Sequence, residues 1–210
     1  MTMSRAYIIC GDFQQQPTTT DTVADYIAEQ LTGRGWQTRI VRTTDLLRQG
    51  NCALELAKQL NNSDLLIATF SAGQSSLPPQ FVKILEAISA TRTNEHGIGL
   101  PRFAAIACCS NDGHPTETSI ELCRFFAKGT GMTWAGGLRV CGYYTAGKKM
   151  ASLGPVAKEL QNCLDKAAER LSACRLITED APELVCCPDL APLKKEAVIQ
   201  RNVKLKKTAA

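Results

Sequence analysis

The sequence predicts an α/β protein, a doubly wound five-stranded parallel sheet with helices on both faces, followed by a C-terminal extension. Three observations carry that prediction. Short unbroken apolar runs, of the kind that strands buried on both faces require, recur along the chain. Between them stand stretches whose apolar residues repeat at helical spacing. The 210 residues, 44% apolar and 21% charged, suffice for one hydrophobic core and exclude disorder, collagen-like repetition and coiled coil.

The first run is Ala6-Tyr7-Ile8-Ile9-Cys10, which ends in Gly11. A polar loop leads to Val23, Ile27 and Leu31 at four-residue spacing, an amphipathic helix that ends at Gly33 and Gly35. Thr38 to Val41 is the second strand and Ala53 to Leu60 a short helix. Leu65-Leu66-Ile67-Ala68 is a third buried strand, and Pro79 to Ala90 the next helix. Phe103 to Cys109 is the fourth strand. Thr116 to Lys128 is a helix opened by Pro115, where the missing N–H costs nothing. Trp134 to Cys141 is the fifth strand, made irregular by Gly136-Gly137. Leu153, Val156, Leu160, Leu164, Ala167 and Leu171 mark a long last helix. The domain is expected to span residues 1–173, with a Pro-interrupted, basic extension over 174–210.

The formal charge of +4, from 24 basic and 20 acidic residues, is too small a surplus to imply nucleic-acid binding. Its distribution is uneven. Residues 1–173 carry +2, residues 174–193 carry −3 and residues 194–210 carry +5. No run of 18 apolar residues occurs and the first residues lack the pattern of a secretory signal, so a cytoplasmic protein with no membrane span is expected. The ten cysteines are then expected as reduced thiols, mostly in apolar runs. They show no C-x-x-C pair, and neither His96 nor His114 stands at zinc-ligand spacing, so no metal site is predicted.

In an open parallel sheet, ligands bind at the carboxyl ends of the strands near the point where strand order reverses, which directs attention to the loops after strands one, three and four. In the first, Gly11 is followed by Thr18, Thr19, Thr20, Asp21 and Thr22 around the start of a helix. Hydroxyls and free N–H groups there suit a phosphate, and equally they suit N-capping. Neither a dinucleotide nor a nucleoside-triphosphate glycine motif is present. In the third loop the backbone of Ala72, Gly73, Gln74 and Ser75 offers donors. The fourth, Ser110-Asn111-Asp112-Gly113-His114, mixes donors and acceptors. His114 suits a substrate contact, but with no identifiable carboxylate partner an exposed loop position before Pro115 is the favoured reading. Cys10 and Cys108-Cys109 raise a thiol-redox reading beside core packing.

Four stretches resemble the flavodoxin-like NAD(P)H-dependent FMN reductases and related oxidoreductases. They are Ile8-Ile9-Cys10-Gly11 with Thr20 and Ala24-Asp25-Tyr26-Ile27; Ser63 to Thr69 with Ser76-Leu77-Pro78; Ala104 to Ala107 through Asn111-Asp112-Gly113-His114-Pro115 to Ala127; and Trp134 to Leu138 with Leu153 to Lys158. The resemblance implies a flavodoxin-like fold and FMN held by Gly11, Thr18, Thr19, Thr20, Thr22, Ala72, Gly73, Gln74, Ser75, Asn111, Asp112, Gly113 and His114. It implies NAD(P)H as electron donor, a small acceptor, and a homodimer that uses Phe125-Phe126. The flavin then carries the chemistry, and no catalytic acid or base is called for. The chain departs from the family at Asp12, where Ser is usual, and in the third loop, where Phe70 replaces the Pro-x-Tyr element. A flavodoxin-fold binding or regulatory protein that has lost FMN is the alternative these departures point to.

Overall fold

The computed structural model describes residues 3–12, 18–48, 56, 63–72, 77–92, 101–109, 116–141, 150 and 157–177. Five strands, β1 (Arg5–Cys10), β2 (Gln37–Arg42), β3 (Leu65–Ser71), β4 (Arg102–Cys109) and β5 (Thr133–Cys141), form one parallel sheet in the order β2-β1-β3-β4-β5. That order is the flavodoxin-like one, with its reversal between β1 and β3.

Period-two alternation divides the core. Ile8, Cys10, Leu65, Ile67, Ala104, Ile106, Cys108, Leu138 and Val140 face α1 (Thr19–Thr32) and the last helix, Lys158–Ser172. Ile9, Leu66, Ala68, Phe70, Phe103, Ala105 and Ala107 face the other layer. That layer holds α2 (Thr43–Arg48), α3 (Pro79–Arg92) and α4 (Thr116–Gly129); the last helix is α5. Because both faces are covered, the central strands read as continuous apolar runs, and for that reason they were legible without alternation.

The boundaries agree closely with the sequence reading, apart from α2. A helix over Thr43–Arg48 follows β2 directly, where the sequence reading placed none. The helix expected at 53–60 lies outside the described residues except Leu56, which is helical and buried. Six residues with two adjacent leucines are too short to display helical periodicity.

The irregularity expected at Gly136-Gly137 is a bulge. Phe103 pairs with Trp134 and Ala104 with Gly136, so Ala135 is an extra residue in β5. Gly136 has φ +106°, and a Cβ there would lie 1.8 Å from the Ile177 carbonyl oxygen. Ile177 makes a parallel bridge to Gly136, donates its N–H to the Ala135 carbonyl at 2.8 Å and is 2% exposed. The packed core therefore continues four residues beyond Ala173 and caps the β5 edge.

Candidate functional site

The site is built where β1 and β3 end. Gly11 continues β1, donating its N–H to the Thr69 carbonyl at 2.7 Å. A Cβ on Gly11 would stand 2.8 Å from Phe70 Cβ and 3.1 Å from the Phe81 ring. Glycine is needed here for close packing against the stacked Phe70–Phe81 pair, whose centroids are 5.4 Å apart. Phe70 itself is fully buried, so it is not an aromatic wall for a ligand.

Asp12 follows, and its carboxylate defines the floor between the two strands. One oxygen accepts the Ser71 N–H and the other the Ser71 hydroxyl, both at 2.8 Å. The Asp12 carbonyl accepts from Thr43 Oγ1 at 3.1 Å. The Ser71 hydroxyl also lies 3.3 Å from that of Thr20, a fully buried residue in the first turn of α1. Asp12, Ser71 and Thr20 thus link the ends of β1 and β3 to the helix in one chain of hydrogen bonds.

The threonines at the start of α1 serve the helix itself. Thr18 is the N-cap: its hydroxyl accepts the Asp21 N–H at 3.3 Å while Asp21 accepts the Thr18 N–H at 2.9 Å, a reciprocal capping box. Thr22 Oγ1 donates to the Thr18 carbonyl at 3.3 Å. Thr19 occupies the first helical position. Of the two uses open to this threonine cluster, Thr18 is in the capping one, while the Thr22 hydroxyl is turned back to the helix backbone. Asp21 is also paired with Arg42, Nε to Oδ1 at 3.0 Å.

Ala72, expected as a backbone donor to a ligand, gives its N–H to the Cys108 carbonyl at 2.7 Å and joins β3 to β4. Gly73, Gln74, Ser75, Asn111, Asp112, Gly113 and His114 lie outside the described residues. Ser71, Arg42 and Thr43 belong to the site and were absent from the sequence reading. Ser71 and Arg42 are each the last residue of a strand, a positional signal that picks them out once strand ends are known.

Two thiols lie beneath this edge. Burial pushes Cys10 up to about 12, with a hydrogen bond from Thr69 opposing the shift. Burial does the same to Cys108, also to about 12, and the nearby Asp12 charge adds to it. Neither forms a thiolate near neutral pH, so the thiol-redox reading loses both of these cysteines. The expectation of reduced thiols is corrected at Cys109, which is disulfide-bonded. Cys109 is the last residue of β4, so what its thiol meets is set by tertiary packing and not by local spacing.

Among the described residues no group of three or more His, Cys, Asp or Glu side chains is placed to hold a metal ion, and no helix is long and apolar enough to cross a membrane. The homodimer pair divides. Phe126 packs edge-on against Phe103 at 5.2 Å, whereas Phe125 is 66% exposed.

Several solved structures share this architecture. An NADH:FMN oxidoreductase in its apo form aligns with a TM-score of 0.61 at 14% identity, over 88% of this chain and 96% of its own. A flavodoxin from Streptococcus pneumonia TIGR4 aligns at 0.57 and 14%, over 81% and 99%. An NAD(P)H:quinone oxidoreductase from Methanothermobacter marburgensis aligns at 0.58 and 12%, over 82% and 98%. At these identities the likeness establishes the fold, which is flavodoxin-like. No family model matches the chain. No curated protein matches it either.

Proposed function

We propose that the chain is a flavodoxin-fold oxidoreductase that takes a flavin at the carboxyl edge of the sheet, with NAD(P)H as electron donor and a small molecule as acceptor. The observation that carries this reading is the strand order: its reversal between β1 and β3 puts the switch point, where open α/β sheets take their ligands, beside the amino end of α1. The named neighbours, a flavodoxin and two NAD(P)H-dependent oxidoreductases, support it. A bound flavin would supply the electron-transfer chemistry; the chain supplies position. Asp12 and Ser71 tie the first loop to β3, and Ala72 ties β3 to β4, so the three loops are anchored to one another at their roots.

FMN, which the resemblance implies, has to place a phosphate dianion near the amino end of α1. The described residues there do not fit it. Asp12 and Asp21 bring two carboxylates, the Arg42 guanidinium is paired with one of them, and the Thr18 and Thr22 hydroxyls are turned to protein groups. This observation favours a second reading, a flavodoxin-fold binding or regulatory protein that does without FMN. A homodimer through the exposed Leu122 and Phe125 of α4 completes the proposal.

Flavin-fluorescence quenching, followed by anaerobic NADH or NADPH addition, tests the leading reading. Quenching by riboflavin or FMN at micromolar concentration with nicotinamide-dependent bleaching supports it. If neither flavin is quenched at high micromolar concentration, the binding or regulatory reading replaces it.

A further inference from the structure

We propose that Asp12 sets the ligand class of this site, favouring a flavin whose side chain ends in neutral hydroxyls over one that ends in a phosphate dianion. The inference rests on the flavin reading above and narrows it. Asp12 is held, not merely present. Both of its oxygens accept from Ser71 at 2.8 Å and its carbonyl is fixed by Thr43, so turning the carboxylate away breaks two charge-assisted hydrogen bonds. Among the described residues its charge is also uncompensated. The Ser71 donors are neutral, and among the described residues Asp12 forms no ion pair, since Arg42 is engaged with Asp21.

The carboxylate stands two hydrogen bonds from Thr20 in the first turn of α1, where helix N–H groups would otherwise draw an anion. Asp21, at the third position of that helix, already answers the dipole. A phosphate entering here meets a fixed negative charge beside its natural cradle. A chain of hydroxyls meets an acceptor instead, because an ionised carboxylate has about four lone-pair sites and Ser71 uses two.

The test titrates riboflavin and FMN into the full-length protein and into Asp12→Asn, reading flavin fluorescence at low and high salt. Asn is isosteric and still accepts the Ser71 N–H through its one oxygen, while its amide N–H can donate to the Ser71 hydroxyl, so the charge goes and both contacts can persist. Wild type is expected to bind riboflavin at least as tightly as FMN. Asp12→Asn is expected to tighten FMN by about tenfold and riboflavin by less than about threefold. Added salt should tighten FMN on wild type, by screening repulsion. Wild type preferring FMN by about tenfold, or Asp12→Asn leaving FMN unchanged, overturns the proposal while the flavin reading stands. If neither protein binds either flavin, the flavin reading itself fails and takes the proposal with it.

Discussion

The carboxyl edge of the sheet between β1 and β3 and the surface where α4 meets the amino end of β5 are built on opposite principles. At the first, Asp12, Ser71, Thr20, Thr18 and Asp21 satisfy one another within a few ångströms, and the apolar groups, Phe70 and Phe81, are buried below. At the second, a cavity of about 440 Å³ is lined by Glu121, Arg124, Phe125, Lys128, Met132 and Trp134, with Phe125 standing 66% exposed above it. The first offers charge and directed hydrogen bonds, which suit a small polar ligand. The second offers apolar area with a charged rim, which suits a protein surface such as a second copy. A large cavity and a candidate ligand site therefore need not coincide: polarity, not volume, marks the strand ends.

Substitutions can break this contrast. The largest effect is expected of Gly11→Ala, whose methyl meets Phe70 Cβ at 2.8 Å and the Phe81 ring, forcing the floor of the polar edge apart. A loss of about 3 kcal/mol is expected by urea denaturation, together with loss of any flavin quenching. A loss under about 1 kcal/mol would show that the packing there yields easily.

On the α4 surface, the two adjacent phenylalanines should separate. Phe126→Ala removes an edge-on contact with Phe103 and should cost about 2 kcal/mol. Phe125→Ala should change monomer stability by less than about 0.5 kcal/mol and shift only self-association, read by sedimentation. Equal costs would mean that Phe125 is not the free surface its exposure indicates.

A further test is the pH dependence, because Cys10 and Cys108 lie under the polar edge while Cys123 belongs to α4. Burial raises each folded thiol from 9.0 to about 12. The sign follows: their stabilising effect is intact below pH 9, where folded and unfolded thiols are both protonated, and is lost as pH rises toward 12 because the unfolded state ionises first. Each thiol contributes a slope of about 1.4 kcal/mol per pH unit in that window. Cys10→Ala should flatten the curve above pH 9 when unfolding is followed at fixed urea, and an unchanged slope would refute its burial.

The fold was largely legible because a sheet covered on both faces requires unbroken apolar runs. Ala6 to Cys10, Leu65 to Ala68 and Phe103 to Cys109 are such runs, and each is a strand. The site was legible only in part. Thr18 as a cap and Gly11 as a strand end were legible because caps and strand ends leave local marks. Ser71 and Arg42 were not, since their importance comes from partners 59 and 21 residues away. Phe125 and Phe126, alike in sequence, take opposite environments because α4 turns about 100° between them.

Composition, the order of apolar runs and the helix-opening threonines determined an α/β sheet and pointed to a candidate ligand edge after strands one, three and four. These are local properties, expressed by period and by the chemistry of neighbours. Tertiary structure decided the rest. It paired Asp12 with Ser71, gave Arg42 to Asp21, buried Cys10 and Cys108 beneath them, and required Gly136 where Ile177 crosses. The charge that stands at the mouth of the site is set by which strand ends meet, and that is settled only when β1 and β3 lie side by side.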